Sequence, residues 1–119
     1  MKVVYVAGPY RGANAWEIEC NIHNAEILAL EVWAMGAAAL CPHANTRYFQ
    51  NVLPDEVWLD GDLAMLAKCD ALITTDEWTR SVGAATEVGF AHKLGIPVFH
   101  ERYLLKEWLD FQRALAEAK

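Results

Sequence analysis

Four times in 119 residues a short, β-rich apolar run stops at a chain breaker or a polar loop and gives way to a longer stretch with helical spacing. Lys2 to Ala7 (KVVYVA) ends at Gly8-Pro9 and reads as a buried strand feeding a loop. From about Ala15 to Met35, apolar residues recur at Ile18, Ile22, Ala25, Leu28 or Ala29, and Val32, with Asn14 as the N-cap and Gly36 just past the end. Ala37 to Cys41 (AAALC) is a second strand, stopped by Pro42, and His43 to Leu53 is a polar stretch with little periodicity. A helix then starts at Pro54-Asp55-Glu56, acids in its first turn, and runs to about Lys68 with Leu59, Leu63 and Leu66 on one side. Ala71 to Thr75 (ALITT) is a third strand, followed by a loop (Asp76 to Arg80) and a helix from Ser81 to Leu94 closed by Gly95. Pro97 to His100 is the fourth strand. The tail, Arg102 to Ala118, carries Leu104, Trp108, Phe111 and Leu115 at helical spacing.

Parallel neighbours need crossover connections, so this alternation predicts an α/β fold: a three-layer sandwich with a small parallel sheet of four to five strands, flavodoxin-like or Rossmann-like. A chain of this length is expected to form one domain, 1–119, with its own core. With 55% hydrophobic and 22% charged residues it is too apolar to be disordered. In such sheets a ligand sits beyond the carboxyl ends of the strands, at the switch in strand order. The loops to inspect are therefore Gly8 to Asn14, Cys41 to Leu53, and Thr75 to Gly83.

Acids outnumber bases 16 to 10. The resulting charge of −6 lacks the basic footprint that a nucleic-acid polymer requires, and excludes that partner. A small anion stays open, because backbone N–H groups at a helix start hold phosphate whatever the net charge. Cys20, Cys41 and Cys69 are odd in number and widely spaced, so neither a disulfide framework nor a CxxC pair is indicated; they are expected as reduced, mostly buried thiols. The opening MKVVYVAGPY has no apolar signal-peptide core with a cleavage site, and no apolar run approaches a membrane span, so a soluble, cytoplasmic protein with no membrane partner is expected. His23, His92 and His100 form no metal spacing with each other or with the cysteines; no metal and no cofactor are predicted.

The chemistry-bearing residues fall in the three loops. Ser81 opens its helix with Gly83 behind it, which is an ordinary cap or an anion cradle at the positive dipole end. Glu87, six residues on, lies in the second turn of a helix otherwise built of Val82, Ala84, Ala85, Val88, Phe90 and Ala91, where a carboxylate faces solvent or enters the cleft. In the first loop, AGPYRGAN, Gly8 and Gly12 flank Pro9, Tyr10 and Arg11; glycine permits close approach and Arg11 offers a fork of donors. It is neither GxGxxG nor a phosphate-binding GxxxxGK[ST] loop. Asp55, Asp60 and Asp62 read equally as a solvated helix face, and His43, after Pro42, as a cleft or a surface histidine. Five tryptophans (Trp16, Trp33, Trp58, Trp78 and Trp108) suit core packing, a subunit interface or base stacking. Trp33 and Trp108, on apolar stripes, read as core or interface.

Taken in order, GPYRG after a tyrosine-containing first strand, GDLAMLAKCD before the third, and SVGAATEVGFA opening the next helix resemble the nucleoside 2-deoxyribosyltransferase superfamily. The likeness spans Lys2 to His100 and is nearest to the small 2′-deoxynucleoside 5′-phosphate N-hydrolases and related, often phage-encoded, proteins. It implies an enzyme, an N-glycosidase acting on deoxynucleosides or deoxynucleoside 5′-monophosphates by hydrolysis or by 2-deoxyribosyl transfer. Glu87 would be the nucleophile at the anomeric carbon and Tyr5 would orient it. Asp62 would hold a sugar hydroxyl or assist protonation of the leaving base, and Ser81 with Gly83 would meet a 5′-phosphate. Gly8, Arg11 and His43 would line the substrate site, with Tyr10 and Trp78 bordering the base. The resemblance also implies a homo-oligomer, dimer or tetramer, in which a neighbouring subunit completes the site. Two positions depart: Pro9 stands where the hydrolases carry a serine, and Ala85 where a glycine is usual. The rival readings are a phosphoribohydrolase of the lysine-decarboxylase-like type, whose PGGxGT run SVGAAT does not match, and a non-catalytic nucleotide-binding module.

Overall fold

The computed structural model describes residues 1–118. Strands β1 (Val3–Ala7), β2 (Ala38–Leu40), β3 (Ala71–Thr74) and β4 (Val98–Phe99) form one all-parallel sheet in the order β2-β1-β3-β4. Five helices accompany them: α1 (Ala15–Ala34), α2 (Pro42–Asn45), α3 (Asp55–Leu66), α4 (Val82–Lys93) and α5 (Arg102–Glu117). The flavodoxin-like expectation is met, with the order reversing between β1 and β3.

Period-two alternation in the central strand sorts its side chains into two layers. Val4 and Val6 point to one face, where Ala25, Leu28, Ala29 and Val32 of α1 and Leu105 and Leu109 of α5 cover them. Tyr5 and Ala7 point to the other, against Leu66 at the end of α3 and Val88 and Ala91 of α4. Helix α1 begins where the sequence places it: Asn14 accepts from the Glu17 amide at 2.9 Å, and the Glu17 carboxylate accepts from the Ala13 amide at 2.6 Å, a reciprocal arrangement close to a capping box. It ends at Gly36, whose φ of +87° suits a residue without a side chain.

Three expectations need correction. The stretch after Pro42 is not wholly irregular, since the proline opens the one-turn helix α2. The buried stripe of α5 is Leu105 and Leu109 with half-buried Trp108, not Leu104, Trp108, Phe111 and Leu115; Leu104, Phe111 and Leu115 are exposed. Apolar residues lie on more than one side of this helix, and docking against β4 and α1 covers only one. Of the three thiols, only Cys69 is buried, whereas Cys20 in α1 and Cys41 between β2 and α2 are half-buried. No helix among the described residues is long and apolar enough to cross a membrane.

Candidate active site

At the carboxyl ends of β1 and β3, where the strand order reverses, lies a cleft of about 1150 Å³. All three loops flagged above contribute to its walls, together with α3 and the N-terminal halves of α1 and α4. Its floor holds the principal chemistry. Glu87 is only 7% exposed, and the fully buried Tyr5 hydroxyl donates to its Oε2. Burial, reinforced by the charge of Asp62 and partly offset by the Tyr5 hydrogen bond, pushes the Glu87 carboxyl up to about 7. The Asp62 carboxyl, from the middle of α3, is pushed up by burial to about 6. Tyr5 is driven far above the ordinary phenol value by burial, then by Glu87 and Asp62, so it remains a donor throughout the physiological range. The structure thus brings Tyr5, Asp62 and Glu87 into one electrostatically coupled group, with two carboxyls poised near neutrality.

The first loop is held in place rather than loose. A Cβ on Gly8 would lie 2.4 Å from Thr75 Oγ1, so glycine is what lets this loop lie against the end of β3. Asn21 Nδ2 donates to the carbonyls of Tyr10 and Arg11 at 3.2 and 3.0 Å. Tyr10 donates to Gln50 Oε1 at 2.8 Å and sets its ring edge-on to His43, centroids 5.7 Å apart. His43 is buried, not a surface residue. Its Nε2 sits 2.9 Å from the Pro9 carbonyl oxygen, which can only accept, so Nε2 carries the proton. Desolvation holds this imidazole below its ordinary value, and Nδ1 is left buried with no partner.

Ser81 caps α4, accepting from the Ala84 amide at 3.1 Å, and Gly83 lies beside it in the cleft wall. Arg11 lines the cleft and is ion-paired with Asp55. Trp78 is not brought in. Its 3₁₀ turn, Trp78–Arg80, directs the indole away from the cleft onto His100, stacked at 4.8 Å with an 11° interplanar angle. The aromatic wall comes instead from Trp58 and Trp16, which the sequence reading passed over. Trp58 precedes Asp62 by four residues, hence lies on the same side of α3, and its indole nitrogen is buried with no hydrogen-bond partner. That spacing from Asp62 in WLDGD is the signal that could have found it. No group of three or more His, Cys, Asp or Glu among the described residues is arranged to hold a metal ion.

Residues 2–101 match the family described as a domain of unknown function, DUF7768. The chain belongs to the DUF7768 family. Among curated proteins none matches it. Solved structures similar to this DUF7768 domain include a 2-deoxyribosyltransferase from Bacillus psychrosaccharolyticus, at 20% identity and TM-score 0.57, covering 81% of this chain and 69% of that one. A 2-deoxyribosyltransferase from Leishmania mexicana aligns at 20% identity and TM-score 0.58, covering 82% of this chain and 62% of that one. A conserved protein from Enterococcus faecalis V583 aligns at 20% identity and TM-score 0.66, with coverage of 82% and 61%. The chain therefore has a nucleoside 2-deoxyribosyltransferase-like fold, and it spans a little over three fifths of the length of the last two neighbours.

Proposed function

We propose that this DUF7768 domain is an N-glycosidase that cleaves the bond between base and sugar in deoxynucleosides or their 5′-monophosphates through a covalent intermediate on Glu87. The observation that carries the reading is the buried Glu87 carboxyl, bonded by the Tyr5 hydroxyl and coupled to Asp62 on the floor of a switch-point cleft. The two 2-deoxyribosyltransferases among the structural neighbours support the same chemistry. In the first step a Glu87 oxygen bonds to the anomeric carbon while the C–N bond breaks, and the base leaves with the electron pair and a proton from the Asp62 carboxyl. In the second, a water oxygen attacks the same carbon as its proton passes to the Asp62 carboxylate, which releases free sugar and the Glu87 carboxylate; a nitrogen of a second base, giving up its proton in the same way, takes the place of water to give a new nucleoside. Tyr5 fixes which Glu87 oxygen stays bonded and which attacks. Trp58 and Tyr10 bound the space for the base, and Ser81 with Gly83 lie where the sugar's 5′ end would approach α4. The exposed Trp16 beside the cleft fits an assembly in which a second copy closes it.

The test is chromatographic detection of free base from a panel of deoxy- and ribonucleosides and their monophosphates, with native protein and Glu87→Gln. Native protein is expected to release base from deoxy substrates and to carry one deoxyribosyl adduct on the Glu87 peptide by mass spectrometry; Glu87→Gln is expected to do neither. Full turnover by the variant would refute the assignment.

A further inference from the structure

We propose that the cleft selects the uncharged nucleoside over its 5′-phosphorylated form. The inference rests on the N-glycosidase reading for the reaction, but its own basis is the charge of the walls. Six carboxylates line the cleft: Glu17, Asp55, Glu56, Asp62, Glu77 and Glu87. Against them stand two guanidiniums among the described residues, and each is ion-paired with one of those acids, Arg11 with Asp55 and Arg80 with Glu77. If Asp62 and Glu87 are counted as neutral, acids still outnumber bases two to one, so a phosphate would enter a field of its own sign.

The loop after β1 also offers a phosphate no amide at Pro9, which has no N–H. The polar groups left without partners around the cleft instead suit a neutral ligand: the Trp58 indole N–H is a donor, and Nδ1 of His43, itself only 6% exposed, is an acceptor. Nucleobase edges offer both kinds of partner.

The measurement compares kcat/KM for each of the four deoxynucleosides with that for its 5′-monophosphate. At separations of several ångströms in a partly hydrated cleft, this excess of acid is expected to favour the nucleoside by about tenfold at low salt, less as salt is added. Asp55→Asn with Glu77→Gln leaves both arginines in place and removes their paired acids, whose side chains are 57% and 59% exposed. The double variant is expected to lower the ratio by about threefold or more. A native ratio at or below one, or a ratio unmoved in the double variant, overturns the proposal.

Affinities of the same ligands, read from tryptophan fluorescence, separate this proposal from the reaction it rests on. Tighter binding of nucleoside without base release would refute the glycosidase reading and keep the charge selection. Base release with preference for the monophosphate would do the reverse. Binding of neither ligand refutes the selection.

Discussion

Glu87→Gln isolates the cost of holding an ionised carboxylate beneath α4. The carboxyl titrates near its ordinary 4.5 in the unfolded chain and at about 7 in the fold, because burial, then Asp62, outweighs the Tyr5 hydrogen bond. The native state therefore binds the proton more tightly than the unfolded state does. Below the unfolded value the two states are equally protonated and the site costs nothing. As pH rises from 4.5 to about 7 the folded protein loses stability, and above that the loss is constant. At about 1.4 kcal/mol per unit, this gap amounts to about 3 kcal/mol, of which about 2 develops between pH ~5.5 and ~8.5. Glutamine keeps an oxygen for the Tyr5 hydroxyl but does not titrate. The stability of the variant relative to the native protein should thus grow by about 2 kcal/mol across that range, a relative shift of about 1 M in the urea midpoint at ordinary slopes. Asp62 titrates in both proteins, and its contribution largely cancels. Equilibrium urea unfolding of both proteins at several pH values reads the difference without any knowledge of the substrate. A stability difference that stays flat with pH would refute the claim that Glu87 is buried and proton-loving. A difference that shrinks as pH rises would refute even its sign.

Tyr5→Phe keeps the ring but removes a hydrogen bond that favours the Glu87 carboxylate, so the rising limb of the pH–rate profile should move to higher pH and kcat should fall more at pH ~6 than at pH ~8.5. A uniform loss at all pH values would mean that Tyr5 acts only as packing. Gly8→Ala drives a Cβ into Thr75 Oγ1 and Cγ2, 2.4 and 2.8 Å away, and should cost about 1 to 3 kcal/mol by thermal or urea unfolding. Thr75→Ala in the same chain removes both clashing atoms and should recover most of that; strict additivity of the two substitutions would show that they do not meet.

Elements whose limits are set by local chemistry were legible in the sequence. Gly8-Pro9 ends β1, Asn14 and Gly36 bound α1, and Ser81 starts α4, each within a residue or two of its observed place. What failed depended on how an element is docked. In α5, apolar residues at 104, 105, 108, 109 and 111 outline overlapping stripes, and only the position of β4 and α1 decides that Leu105 and Leu109 go inward. Trp78 follows β3 and precedes Ser81, which suggests the cleft, yet the 3₁₀ turn beginning at that residue turns the ring onto His100. Trp58 sits among the apolar residues of α3, and its four-residue spacing from Asp62 together with its orphaned indole nitrogen sets it apart from a core ring.

The candidate centre follows from sheet register more than from loop shape. Tyr5 faces the α3–α4 layer because its neighbours Val4 and Val6 face the other one, and a slip of one residue along β1 would reverse all three. Pairing on both sides prevents that slip: Tyr5 is aligned with Leu40 of β2 and with Leu72 of β3, and Val4 with Ala39 and Ala71. On the facing helix, Glu87 adjoins Val88 and lies four residues before Ala91, both of which pack on the same layer, so the turn that seats them also seats the carboxylate over Tyr5. A helix of twelve residues with its apolar side so fixed has little freedom to move Glu87 back to water. Burying the carboxylate is costly, but the packing that imposes this cost is the same packing that forms the second half of the core. The fold cannot relax one without giving up the other, which is why a carboxyl with a value near 7 can persist in so small a domain.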